Sequence, residues 1–541
     1  MPIPYRPDVY IQESSSSSFA PTASVQTTAV FVGAHMQGPV ATPTLITSWQ
    51  QFQAVYGGFG PGVPTYLSLA VFGYFMSGGG RCLVLRVTHT TTGTGTISAT
   101  ASLILKDTEG SPQNTITVSA ISPGIWGNSI GVQIAAAGDG ISGHFKLIVY
   151  YGGLTTANAK ETWDNLSMNQ WDSRYFASMI NNINTGSAYI NVTDLQGTTT
   201  TAGYPPQTVA AEYIGQGSGS TTGVDGTAPT DAEVVAALPL LNSYNGPLVL
   251  NLPGNSDTSA VGGAITYSQG RSIAEDTFIV IDPPAPAQST YTSSQYAAQL
   301  TGATAAGSPA TGGFVQNFSA TDCAAIYAPW VLISDPSSAT PGAVRLVPPG
   351  GFVMGAYAKS DGMAGPWKAP AGVRTGGLNA VSGLQYYFTN ADLDNLNANN
   401  VNAIKAMPTF GCVVMGARTL SPLVQQRYIN VRRLMSFIEV TVQQTLQAAL
   451  FENNDAVLWA QVTVTVSTFL QNLFASGAFA GTDAASSFFV TCDSSVNTAA
   501  TIAAGQLICQ VGIAPVTPAE FIIMQMSQWQ NGATSSTTVS S

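Results

Sequence analysis

The segment AVFVGAHMQGPV (residues 29–40), followed by SWQQFQAVYG (48–57) and RCLVLRV (81–87), sets the fold class of this chain. The first and last runs read as strands. Between them Ser48 stands as an N-cap before a helix, and a second apolar helix ends at the glycines Gly78 to Gly80. Strand, helix and strand in this order predict a partly parallel α/β sheet over residues 25–90.

Working outward, residues 91–200 change to alternating Thr- and Gly-rich runs such as ASLILKD (101–107), NTITVSA (114–120), IGVQIAAA (130–137) and FKLIVYY (145–151), which read as an inserted β-sandwich domain. A Gly/Ser/Thr-rich linker is expected over 201–230. The main α/β domain resumes over 231–422. There GPLVLNLPG (246–254), DTFIVIDPP (276–284) and APWVLISDP (328–336) look like buried strands ending in Pro-containing loops. A C-terminal domain is expected over 423–512. Its clearest element is a helix on which Val431, Leu434, Met435, Ile438, Val442, Leu446, Ala449 and Leu450 form one stripe at steps of three and four. Residues 458–474 fit both a strand and a helix, and length favours the helix. The fold class is therefore an α/β core with a mixed, partly parallel sheet, an inserted β-sandwich and an α+β C-terminal domain.

Extended arms flank this body. Residues 1–24 carry Pro2, Pro4, Pro7 and the serines Ser14 to Ser18, with only Val9, Tyr10 and Ile11 strand-like. Residues 513–541 hold a second short apolar strand, Phe521, Ile522 and Ile523, before a polar tail. Strands this short are not stable alone, so each must add to a sheet, and two on one chain suit joining a subunit to two neighbours.

Charged residues are only 8% of the 541, against about 25% in ordinary proteins, while the hydrophobic fraction is 45%. That combination describes a folded protein with a neutral polar surface. The net charge of -11 has the wrong sign for phosphate backbones, so no nucleic acid partner is expected. Residues 345–433 nevertheless carry more than half of the 17 Lys and Arg, and none follows Arg433. Arg427, Arg432 and Arg433 sit near a helix N-terminus, the unfavourable end for a cation, which points to a partner surface or a solvated face.

Chemistry is sparse. The 3 histidines form no metal-binding spacing and no Lys follows a phosphate-cradling loop. Residues 231–420 contain no His, which closes off a Ser-His-Asp triad there. The neighbouring carboxylates Asp392 and Asp394, or Glu275 and Asp276, are too close in sequence to face each other across a substrate. Asp282 and Asp335, each before a proline, read as loop formers. The 5 cysteines show no paired spacing and read as small buried residues. No catalytic residue, cofactor or metal is expected. The start of the chain has no secretory pattern, and polar residues interrupt the uncharged run 456–482, so neither a signal nor a membrane insertion is predicted.

Several segments in order resemble the tail sheath protein family of contractile-tailed bacteriophages and related contractile injection systems. They are PDVYIQE (7–13), the stretch from Ala29 to Gly60, SGGGRCLVLRV (77–87), SPGIWGNSIGVQI (122–134), ETWDNLSMN (161–169), the stretch from Leu346 to Gly372, GARTLSP (416–422), RYINVRRLMSFIE (427–439), ALFENNDAVLWAQV (449–462), FFVTCDSSVNT (488–498) and VGIAPVTPAEFII (511–523). The resemblance implies a non-enzymatic subunit that polymerises with itself as stacked, hexameric, helical rings around an inner tail tube protein. It also implies baseplate and tail terminator partners, contraction from a metastable extended state, and a place in a virion tail assembled in the host cytoplasm. Strand exchange would use Val9, Tyr10 and Ile11 with Phe521, Ile522 and Ile523. A tube-facing C-terminal domain would use Arg427, Arg432 and Arg433. A tailocin or extracellular injection system has the same pattern, and a hydrolase built on the α/β region or a secreted β-rich adhesin are the rivals of other classes.

Overall fold

A computed structural model describes residues 27–520 except 60–65, 94, 197–203, 217–218, 272, 274–275, 308–311 and 319–320. Its centre is a nine-stranded sheet. Six strands run parallel, in the spatial order Cys82–Arg86, Thr28–Gly33, Leu248–Asn251, Thr277–Ile281, Ala324–Ala328 and Val401–Met407. Antiparallel strands finish both edges: Thr44–Ile46 beside the first, and Gly411–Val414 then Gly377–Leu378 beyond the last.

Successive side chains of these strands point to opposite faces, and both faces are buried. Ala29, Phe31, Val84, Val249, Phe278, Val280 and Tyr327 belong to one core, packed with the helices Trp49–Tyr56, Tyr66–Met76 and Gly350–Met363. Val30, Val32, Leu83, Leu85, Leu250, Ile279 and Ile326 belong to the other, under the helices Asp231–Ala237, Thr258–Gln269, Ser293–Thr301 and Asn390–Ala398. Burial on both sides is why these strands read as unbroken apolar runs. The helix at Gly350 packs closely on its neighbour because a Cβ on Gly351 would stand 2.2 Å from the Ala70 carbonyl oxygen.

Between this sheet's third and fourth strands in sequence lie two antiparallel sheets, one of three strands (Ser102–Lys106, Asn114–Ala120, Ile190–Asp194) and one of four (Ile130–Ala136, His144–Tyr151, Ala159–Ser167, Val209–Tyr213). They share a separate core that includes Leu103, Ile116, Val132, Leu147 and Val192. The expected linker 201–230 is corrected here. Val209–Tyr213 pairs with Ile130–Ala136, and Pro206, Thr221 and Val224 bridge to Asp107, Ser102 and Ala99. Gly215, Gly219 and Gly226 turn the chain between pairing positions with positive φ; at Gly226, with φ 77°, a Cβ would meet the Ser98 backbone nitrogen at 2.7 Å.

Glu233 draws the two ends of this stretch together. Its carboxylate accepts from the backbone N–H groups of Thr90 (2.8 Å), Thr91 (3.0 Å) and Thr230 (2.8 Å) and meets His89 Nδ1 at 3.0 Å. Loss of hydration works against the charge, but these hydrogen bonds outweigh it and hold the carboxyl well below the usual glutamate range. Arg86 makes a second tie. Its buried guanidinium donates to the carbonyls of His35, Met36 and Gly38 on the sheet side and to Pro123 across the junction.

The C-terminal part contains the helices Ile429–Leu446 and Ala456–Ala475 and a two-stranded sheet, Phe488–Thr491 with Gln510–Ile513. Asp455 caps the second helix by accepting from Val457 and Leu458 N–H. Val462 and Val466 face inward with Leu458, Phe469, Leu470 and Leu473 while Val464 is exposed, so the ambiguous segment 458–474 is helical, as its length predicts.

Candidate assembly site

The strand-exchange candidates Val9, Tyr10, Ile11, Phe521, Ile522 and Ile523 lie outside the described residues. Arg427 is half-buried at the entry to the helix Ile429–Leu446. Arg432 and Arg433 are placed differently from the expectation of a partner surface, being only 2% and 4% exposed. Arg432 donates to Glu439 at 2.9 Å and lies 3.7 Å from Asp322. Arg433 grips Asp361 with both terminal nitrogens, at 2.9 and 2.5 Å, and its guanidinium carbon sits 4.7 Å from the centre of the Tyr357 ring. Burial alone disfavours the Arg433 cation, and Asp361 more than offsets this, so its pKa lies above the usual arginine value. These two guanidinium groups bind the first turn of the helix to the α/β core and are not presented to a partner.

The same seam holds the chain's approach to its C-terminal arm. Asn430 donates to the carbonyls of Trp367 (3.0 Å) and Val516 (2.9 Å). Arg418 meets the Glu520 carboxylate with Nε at 3.1 Å and Nη2 at 2.5 Å, and it is itself fixed through Nη1 to the Asn397 carbonyl and through its backbone to Asn402. The segment 516–520 is thereby tied down at both ends, up to the residue before Phe521. Sequence reading passed over this anchor because its partners are 102 residues apart.

Beside the seam stands the small sheet Phe488–Thr491 with Gln510–Ile513. Among the described residues each of its strands has a single strand neighbour, which leaves one edge of each unpaired. Two-stranded sheets are marginal alone in water, and three or more strands are the usual stable unit. A shallow groove of about 480 Å³ runs between this sheet and the helix Ala456–Ala475, lined by Ser467, Thr468, Gln471, Asn472, Ala484, Ala485 and Phe488. None of these side chains is an acid, a base or a strong nucleophile.

Of the carboxylates considered for chemistry, Asp394 is exposed, Glu275 lies outside the described residues, and the other four serve the fold. Asp282 is 1% exposed and accepts from the N–H groups of Gly254 and Gly350 and from Asn251, pinning the loops beyond the parallel strands; burial pushes its carboxyl up to about 6. Asp392 closes a capping box with Thr389, Asp276 pairs with Arg271, and Asp335 accepts from Ser337. No group of three or more His, Cys, Asp and Glu that could hold a metal occurs among the described residues, and no helix among them is long and apolar enough to cross a membrane.

Residues 425–528 match the phage tail sheath C-terminal domain. The tail sheath protein of Salmonella phage ViI is 29% identical over 174 residues, 32% of this chain and 26% of that protein. Those of Vibrio phage KVP40 and Enterobacteria phage T4 are each 25% identical, over 33% and 35% of this chain and 26% and 28% of theirs. The chain thus aligns with about a quarter of the length of these relatives. In structure it matches the PVC sheath, an extracellular contractile injection system in its contracted state, with a TM-score of 0.56 at 20% identity over 98% of this chain and 99% of that one. A chain of the anti-feeding prophage baseplate gives 0.56 at 21% identity over 98% and 100%, and the sheath tail protein of Listeria innocua 0.57 at 12% over 88% and 91%. Over about a third of its length this chain is similar in sequence to phage tail sheath proteins, and its fold is that of the sheaths of contractile injection systems.

Proposed function

We propose that the chain is the structural subunit of a contractile sheath. It polymerises as stacked helical rings, six subunits to a ring, around an inner tube and shortens from a metastable extended state to drive that tube through a cell envelope. The observation that carries this reading is the small C-terminal sheet, which among the described residues has two unpaired edges, on a chain whose sequence reads as one short strand in each arm. Val9, Tyr10 and Ile11 of one neighbour and Phe521, Ile522 and Ile523 of another add to those edges, converting a marginal pair of strands into a four-stranded sheet shared between subunits. The Arg418–Glu520 anchor sets where the C-terminal arm leaves the body.

No nucleotide or cofactor enters this mechanism. The energy of contraction is stored in contacts between subunits, and each subunit moves nearly as a rigid body while the arms keep the lattice connected. The stretch 91–230 is a separate outward-facing domain whose acidity favours dispersion in water. The C-terminal region faces the tube, with Arg427 as the remaining contact candidate. Baseplate and terminator proteins close the two ends of the polymer, which belongs to a virion tail assembled in the host cytoplasm.

A second reading, the sheath of an extracellular injection system or tailocin, is favoured by the match to the PVC and anti-feeding prophage chains over 98% of the sequence. Gene neighbourhood separates the two: capsid and terminase genes beside this one indicate a phage, their absence an injection system. The sheath reading itself is tested by deleting residues 1–20. The truncated subunit should keep the circular dichroism of the full chain and fail to form tubes; tubes of normal width from the truncation would remove strand exchange.

A further inference from the structure

The two strands of the small C-terminal sheet pair Phe488 with Ile513, Phe489 with Gly512, Val490 with Val511 and Thr491 with Gln510. One step further along this register, Cys492 stands opposite Cys509. Directly opposed residues of antiparallel strands have Cα atoms about 4.5 to 5.5 Å apart, inside the range of about 4.4 to 6.8 Å that a disulfide spans. Both side chains lie at this open end of the sheet, and each thiol shifts the titration of the other. Asn497 Nδ2 approaches the same sulfur at 3.8 Å and is held there by the backbone of Ile508, which donates to Asn497 Oδ1 at 2.7 Å and accepts from Nδ2 at 2.8 Å. Cys492 is 5% exposed, and Cys509 is the more open of the two.

We propose that Cys492 and Cys509 are a redox modification site, a dithiol that peroxide converts to a disulfide closing the open end of this sheet. The neighbouring Cys509 thiol and the Asn497 amide directed at the Cys492 sulfur favour its thiolate, and the Cys492 thiol pKa is lowered despite burial, which makes Cys492 the nucleophile. Its thiolate attacks one oxygen of hydrogen peroxide, breaking the O–O bond to give a sulfenic acid and hydroxide. The Cys509 sulfur then attacks the sulfenic sulfur, its proton leaving with the displaced hydroxide as water. The two thiols lose two electrons and two protons, and one peroxide becomes two waters. The other three cysteines lie apart: Cys82, Cys323 and Cys412 are buried in the α/β core, and burial raises the thiols of Cys82 and Cys412.

Closing this pair tethers the loop 493–508 and stiffens the sheet on which the arms are proposed to dock, a consequence that rests on the sheath reading; the chemistry does not. Purified full-length protein is titrated with hydrogen peroxide, quenched with catalase, then alkylated with N-ethylmaleimide in denaturant and weighed intact. The expected product carries three adducts in place of five, with dithiothreitol restoring five. No Lys or Arg follows Arg433, so peptic digestion, which also suppresses disulfide exchange, is used to find the Cys492–Cys509 linkage. In Cys509→Ser, dimedone should trap a sulfenic acid on Cys492, and Cys492→Ser should keep four adducts. Five adducts in the oxidised wild type, or thiol loss spread over Cys82, Cys323 and Cys412, would overturn the assignment. Dispersed and polymerised protein both answer the question, so failure of the sheath reading leaves a separate signature.

Discussion

Replacing His35 with Phe should make the subunit markedly less sensitive to acid. His35 is 5% exposed, packed edge-on against Phe52 (ring centres 5.5 Å apart) and Tyr56 (6.2 Å), with its backbone carbonyl bonded to the Arg86 guanidinium. Burial first, and the Arg86 charge second, lower its pKa to about 3, and neither ring nitrogen has a hydrogen-bond partner to hold a proton. The native state therefore holds neutral His35, while the unfolded chain takes up a proton below about pH 6.5. The stability due to this difference is complete above that pH and is lost as the pH falls towards about 3. At about 1.4 kcal/mol for each pH unit between, the loss at pH 5 is about 2 kcal/mol. Phe keeps the ring contacts and cannot titrate. Urea unfolding of dispersed subunit at pH 7 and pH 5 gives the difference for each protein, and other titrating groups cancel in the comparison. The wild type should lose about 2 kcal/mol more than His35→Phe on going to pH 5; equal losses would refute the burial of a neutral imidazole.

Arg433→Leu should cost about 3 to 5 kcal/mol in urea unfolding by leaving Asp361 unpaired, and adding Asp361→Leu should recover much of it. Glu233→Ala removes charge-assisted hydrogen bonds that join the ends of the stretch 91–230 and should cost about 2 kcal/mol, with faster amide exchange at Thr90, Thr91 and Thr230. Gly351→Ala pushes a methyl into the Ala70 backbone, and a loss of about 1 to 3 kcal/mol or failure to fold is expected, read as melting temperature or soluble yield. Glu520→Ala should leave the melting temperature within a few degrees and reduce polymer yield in a pelleting assay.

Four of the nine strands of the central sheet were legible from sequence, because strands buried on both faces appear as unbroken runs such as Leu83–Leu85 and Phe278–Ile281, whereas the run 328–336 forms Val331–Ser334 of a separate three-stranded antiparallel sheet. The helix Ile429–Leu446 was legible from its stripe. Its arginines were not, because a charge near a helix start says nothing of a carboxylate supplied from elsewhere: Asp361 lies 72 residues before Arg433. One local signal existed, since Arg432 and Glu439 are seven residues apart and therefore share a helix face. The strand Val209–Tyr213 was hidden in Gly- and Ser-rich sequence, where two alanines give no alternation to read. Cys492 and Cys509 meet only through a hairpin register that spacing along the chain does not announce.

Negative-stain electron microscopy of the purified full-length protein addresses the assembly claim directly. A sheath subunit that reaches its low-energy state should form hollow, striated tubes of uniform width, with sixfold symmetry in end views. Dispersed subunits or irregular aggregates, with no tubes at any concentration tried, would contradict it.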